Sequence, residues 1–390
     1  MIHAEALQSI PMIDTHVHRV HPNRAPDLSQ VTCYIPGPGQ AVHTRNTLLF
    51  EMVCEYLRGF LGLPESASLQ EIEQARNARY ERDPQKYLAD LTAGTNVQMY
   101  CLEVGSPLFA PSYTPEEIAY FDGSIPPGKQ AKIVRIERLL DDTLPQKLSF
   151  SELRDLFDRE FPKQIEQEHA IAIKTCAAYY GGLDIALNVT EQEAEDTYNK
   201  LISGKITPAE AKKFYHFFLM RGVGMAGKYD LPIQIHTGEG AGKFIDYKTM
   251  SPLALGPFLL DSRVFNRVKV VLLHAGHPYE ADTSNLALQF DNVYTDFSGA
   301  VWFSTANAVT SMRMLFERAP FDKVMYGSDA NAIPELYGYA PMRFRRILAQ
   351  YLNELVEDGC LRESRAMDIA RQILYTNALG CYTALQSRLI

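Results

Sequence analysis

The sequence predicts an α/β chain folded as a (β/α)8, TIM-like barrel with a helical insertion after the first strand. Three observations predict it. Eight short, β-rich apolar runs recur along the 390 residues. Segments with helical periodicity separate them. Several runs end, always on the same side, in His, Lys or Asp. Strands buried on both faces read as continuous apolar runs and need crossover helices, which argues for a parallel sheet. Eight such units imply a closed barrel more than an open sheet.

The runs, in order, are MIDTH (12–16), NVQMYCLEV (96–104), AKIVRIE (131–137), AIAIKTC (170–176), PIQIHT (232–237), KVVLLHA (269–275), NVYTDFS (292–298) and KVMYGSD (323–329). Helical spacing fills SFSELRDLFDREFPKQIEQ before the fourth run and 209–230 before the fifth. The first gap is unusually long. It holds TRNTLLFEMVCEYLRGFLG and SLQEIEQARNARYERDPQKYLADL, which predict a helical insertion or lid over 40–95 within a single barrel domain of 1–390. A second long connection, SPLFAPSYTPEEIAYFDGSIPPG, is rich in Pro, Ser and Tyr. Both connections leave strand C-terminal ends, so both are expected to cover the barrel mouth. Tyr34, Phe109, Tyr113, Tyr120 and Phe121 in them suggest an aromatic lining, or a lid held together by its own side chains. MRFRRILAQYLNELVEDG and SRAMDIARQILYTNALGCY read as closing helices.

Composition narrows the partners. With 46% hydrophobic residues the chain can bury a core, and its net charge of −9 offers no basic patch to nucleic acid or anionic membrane. A small-molecule partner is expected, with a homo-oligomer left open. Six scattered cysteines without a CxxC pair suggest neither a thiolate zinc site nor a disulfide framework. The first residues, MIHAEALQSI, lack a basic segment followed by a long apolar one, and no run of about 18 uncharged apolar residues occurs. These features predict a cytoplasmic protein.

The residues at the strand ends carry the chemistry. His16 and His18 lie two apart in a strand, so they project to one face. Lys174 ends the fourth run, His236 the fifth, His274 the sixth and Asp329 the eighth. Each alone has a bland reading: a strand-end polar residue, a loop cap, a turn. Together they converge on one axis and form a metal-site set, imidazoles with a carboxylate that leave a position open for water. A divalent ion there would acidify water and polarise a carbonyl. Asp329 would take the proton of that water and pass it to a leaving amine, and His274 would stabilise developing charge.

The chain resembles the amidohydrolase superfamily in DTHVH, IHTGEG, LLHAGHPY and YGSDA, in that order, over nearly its whole length. It is most similar to the amidohydrolase-type domains fused to glutamine synthetase, through IKTCAAYYGGLD. The resemblance implies His16, His18, His236 and Asp329 around one divalent ion, most simply zinc with manganese or iron as alternatives, and His274 as a nearby acid or electrophile. For Lys174 three readings stand side by side: a carboxylated bridge between two ions, a substrate contact, or a buried amine paired with a carboxylate such as Glu137. Glu137, Tyr179, Glu239 and His277 are expected to contact substrate. Tyr180 stands where the similar domains carry an arginine, which removes one route to a substrate carboxylate. Trp302 is expected in the core or the pocket. The function this implies is a metal-dependent hydrolase using activated water to cleave a C–N bond, amide or cyclic amide, or an ester of a small molecule. The alternative is a metal-dependent nonoxidative decarboxylase of a small aromatic acid; a barrel that only binds a ligand is the third.

Overall fold

The computed structural model describes residues 2, 4–20, 25–32, 40–105, 112–126, 128–240, 246–299 and 305–389. Tyr34, Phe109 and Trp302 lie outside them. Eight strands follow one another in a single parallel sheet: β1 Met12–His18, β2 Val97–Glu103, β3 Gln130–Arg135, β4 Ala172–Thr175, β5 Ile233–Ile235, β6 Val270–Leu272, β7 Val293–Asp296 and β8 Val324–Met325. Backbone bonds from Thr15 N to Tyr326 O (3.1 Å) and from Asp329 N to His16 O (2.8 Å) join the last strand to the first and close the barrel.

Each predicted strand is present, but several are shorter than their apolar runs. β8 is two residues and β5 and β6 are three. At the mouth the backbone leaves extended geometry, directly after β6 and farther on after β8. His274 (φ 67°), Ala275 (φ 52°) and Asp329 (φ 52°) adopt left-handed conformations, which turn the following side chains across the strand ends. Such conformations are uncommon away from glycine and concentrate at functional positions.

Between β1 and β2 run the helices Leu48–Leu61, Leu69–Arg82 and Pro84–Thr92. Their starts follow from sequence. Ser68 and Glu71 form a reciprocal capping box, and Asp83 caps a helix whose first residue is Pro84, a position that needs no N–H. These helices are tied to the barrel by a buried ion pair. Arg76 Nε donates to Glu335 Oε1 (2.7 Å), which also accepts from Tyr87 Oη (2.7 Å). Glu335 immediately precedes the long helix Leu336–Glu357, whose start lies six residues before the predicted Met342. The second closing segment is interrupted by a π-helical turn, Gln372–Thr376, inside otherwise α-helical chain.

The barrel lumen is filled by Ile13, Met99, Cys101, Ile133, Val271, Leu273 and Met325, so the interior is core and chemistry is confined to its ends. Among the described residues no helix is long and apolar enough to cross a membrane.

Candidate metal centre

Asp329 turns over the top of β1 and meets both strand histidines. Its Oδ1 lies 3.1 Å from His18 Nε2 and 3.6 Å from His16 Nε2. One donor atom from each of these three residues falls within 4.8 Å of the others, and no other such His/Cys/Asp/Glu group occurs among the described residues. The two imidazoles stand edge to face at 87° with centroids 4.7 Å apart, as alternate residues on one strand face allow.

Hydrogen bonds fix which ring nitrogen of each histidine is free. Gln234, two residues before His236 on β5, donates its amide to Thr15 O (2.9 Å) and Tyr382 Oη (2.8 Å), so its carbonyl oxygen faces His16 Nδ1 at 2.9 Å. His16 therefore carries its proton on Nδ1 and points the Nε2 lone pair at Asp329. His18 Nδ1 lies 3.1 Å from Glu103 Oε2, which places a proton there too. His274 donates Nδ1–H to Ser298 O (2.8 Å), so its Nε2 accepts from His236 Nδ1 (2.9 Å). His236 Nε2 is left as a buried lone pair with no hydrogen-bond partner. The His16 and His18 Nε2 atoms and the Asp329 carboxylate, every supporting N–H engaged, are a donor set that fits a divalent cation, while His236, expected to join them, falls outside that group of atoms within 4.8 Å.

Electrostatics agree with that fit. Burial drives His16 and His236 well below the usual histidine range, with Lys174 adding to the effect on the first and His274 on the second, so both are neutral. Burial also lowers His274, against the pull of Asp329. For His18 burial is outweighed by hydrogen bonds to Asp329 and Glu103, and its pKa is raised. Burial likewise opposes ionisation of Asp329, and the hydrogen bond to His18, whose own pKa is raised, overcomes it and holds the carboxylate ionised.

A model of the amidohydrolase family matches residues 162–382, more than half of the chain. The chain belongs to the amidohydrolase family. Among curated proteins this amidohydrolase is similar to protein fluG of Emericella nidulans, 24% identical over 96% of this chain; it spans 46%, about half, of that protein's length. Among solved structures it is similar to a Lactobacillus casei protein put forward as a metal-dependent hydrolase, with a TM-score of 0.83 at 22% identity over 99% of this chain and 98% of that one. It is also similar to the glucuronate isomerase of Caulobacter crescentus, with a TM-score of 0.67 at 14% identity over 97% and 93% of the two chains. These likenesses establish the fold.

The other expected site residues of this amidohydrolase divide. Tyr179 lies at the centre, its ring 4.7 Å from that of His236. Lys174 does too, with Nζ 3.3 Å from His16 Nε2, and it has no carboxylate within 4 Å among the described residues. Pairing with Glu137 does not form. Glu137 is buried and its Oε1 accepts from Thr175 Oγ1 (2.5 Å) and Cys176 N (3.0 Å), engagements that hold the turn after β4. His277 and Glu239 meet at 3.9 Å on the rim, where His277 Nδ1 is 2.6 Å from Glu280. Tyr180 is fully buried and its hydroxyl is bonded to Asp141. His274 spends both ring nitrogens on Ser298 and His236, so in this arrangement it orients a neighbour and does not present a free acid.

Sequence reasoning missed Glu103, Arg135 and Gln234. All three are polar residues inside apolar runs, with exposures of 0%, 2% and 0%. The signal was the one that exposed Lys174: a polar side chain in a strand that burial ought to make costly.

Proposed function

We propose that this amidohydrolase is a metal-dependent hydrolase of small molecules that cleaves an amide, cyclic amide or ester bond with activated water. The observation that carries the reading is the convergence of His16, His18 and Asp329 beside the unpartnered Nε2 of His236. One ion, zinc in preference to manganese or iron, is the reading this set supports, with His16, His18, His236 and Asp329 holding it. When bound, such an ion supplies Lewis acidity and lowers the pKa of water toward neutrality.

The chain's own residues do the rest. Asp329, held as a carboxylate, accepts a proton from the attacking water on Oδ1 or Oδ2 and returns it to the leaving nitrogen or oxygen. Gln234 and Glu103 keep the two strand histidines in their Nδ1–H form, and His274 keeps His236 in the same form. Tyr179 beside His236 forms one wall for substrate, with Glu239 and His277 at the rim. Lys174, without a carboxylate partner, is placed to meet a substrate oxygen. The helices over 40–95 serve as a fixed wall of the mouth, since Arg76 and Glu335 bolt them to the residues that follow Asp329.

Elemental analysis of freshly purified protein, with no metal added, is expected to give about one ion per chain. Two per chain would instead assign Lys174 as a carboxylated bridge. Turnover of an amide and ester panel in 18O-labelled water is expected to place label in the product carboxylate. Release of CO2 from an aromatic acid without label would replace hydrolysis by decarboxylation, and a metal-free protein would leave only ligand binding.

A further inference from the structure

The two strand histidines are supported by different chemistry. His16 rests on a neutral carboxamide, Gln234, whereas His18 rests on a carboxylate, Glu103. We propose that Glu103, braced by Arg135, is a positioning residue of the metal centre: it sets the Nδ1–H tautomer of His18 and makes that imidazole the more basic of the two.

The arrangement follows from register. Glu103 is the residue opposite His18 in the β1–β2 ladder, so a carboxylate there meets the ring from the neighbouring strand. Oε2 takes His18 Nδ1 at 3.1 Å and Arg135 Nη1 at 3.4 Å, while Oε1 accepts from Gly105 N. Arg135 ends β3 and turns its other terminal nitrogen to Gly105 O. Position 105 must be glycine for this to close. A Cβ there would fall 2.6 Å from Glu103 Oε1 and 2.8 Å from Arg135 Cβ. Both members of the pair are buried, at 0% and 2% exposure, and burying a carboxylate and a guanidinium is costly enough to need a return. Fold alone does not require the pair here. The equivalent support of His16 is made by an amide with no ion pair, and a histidine that donates to a carboxylate is the stronger metal donor.

The proposal rests on reading His16, His18, His236 and Asp329 as metal-binding residues, so the test separates the two. Three proteins are compared: the native chain, Glu103→Gln, and Glu103→Gln with Arg135→Gln, which removes both buried charges and keeps the fold measurable if the single variant is unstable. Metal affinity is read by competition of zinc with a chelator at fixed pH, and the ligand field by the visible absorption of cobalt(II)-loaded protein. Both variants are expected to bind zinc about 10- to 100-fold more weakly and to shift the cobalt bands. Wild-type affinity with an unchanged cobalt spectrum in a folded variant overturns the proposal. If the native chain itself binds no metal, that reading of the centre fails, and 15N histidine spectra decide the role of Glu103 separately. His18 protonated on Nδ1 in the native chain and mixed between tautomers in Glu103→Leu, which leaves no acceptor there, supports the role; the same spectrum in both removes it.

Discussion

Among the described residues two histidines bury an Nε2 with no full hydrogen-bond partner, and they are opposites. His216, in the helix Lys212–Tyr229, accepts Ala186 N–H on Nδ1 (2.9 Å), so its Nε2 bears a proton, with only the Gly182 backbone to compensate it. His236 donates its Nδ1–H to His274, so its Nε2 is a lone pair. The first is a core residue that tolerates a poorly satisfied donor. The second is a buried acceptor with no donor to meet it. Burial and an orphaned atom do not make a ligand; the direction of the hydrogen bond on the far nitrogen does.

Exchanging the loss between the two gives the largest separation. His236→Ala is expected to weaken metal binding by more than about 100-fold, beyond what the loss of a supporting hydrogen bond reaches. His216→Ala should leave metal stoichiometry at the native value and lower stability by about 2–4 kcal/mol through the lost side-chain volume and bond. Metal analysis and urea midpoints on both variants decide it. Metal loss in the His216 variant would break the comparison. Asp329→Asn sharpens it from the other side of the centre. It should keep most of the metal and lose turnover about 10²–10⁴-fold, the range for removing a general base, as read by steady-state rates on the best substrate of the panel.

The pH dependence of stability separates the two kinds of burial again. Burial pushes His216 down to about 3, so the folded state holds it neutral while the unfolded state protonates near 6.5. A depressed folded pKa gives stability that is fully present above pH 6.5 and is lost as pH falls toward 3. The full loss is up to about 5 kcal/mol at 1.36 kcal/mol per pH unit. Urea midpoints at pH 7 and pH 4.5 should therefore converge more closely in His216→Gln than in the native chain. An equal acid slope in both would show that His216 does not titrate between them.

Much of this was legible before any coordinates. The two-residue period of His16 and His18 on one strand, the eight runs in strand order and the helical insertion after the first all follow from patterns that the fold obeys. What was not legible has a common cause. The left-handed backbone at His274 and Asp329 is imposed by the barrel rim, and neither residue type announces it. Glu103, Arg135 and Gln234 sit inside apolar runs and meet their partners only across strands, Glu103 directly opposite His18, Arg135 two residues beyond the ladder partner of Glu103, and Gln234 from a strand that does not pair with β1, relations that single-strand patterns do not encode. Glu137 misled in the opposite way. A carboxylate at the end of an apolar run looks like a mouth residue, but β3 stops at Arg135, and the helix Ile136–Thr143 has already begun and turns Glu137 under the β4 turn.

The smallest effect tests the wall of the site. Tyr179 packs its ring against His236 and is 7% exposed, so a packing role and a substrate role predict different readings for the removal of one hydroxyl. Tyr179→Phe keeps the ring and with it the contact to His236, so metal affinity should not change. A hydroxyl that bonds substrate contributes about 0.5–1.5 kcal/mol, which raises KM up to about 10-fold at nearly constant kcat. A hydroxyl that serves only the fold lowers the unfolding midpoint by the same energy and leaves KM alone. Because the ring stays in place in either case, whichever of KM and the midpoint moves assigns the hydroxyl to substrate or to the protein, and a change in kcat alone would place it nearer the reacting atoms than His236 allows.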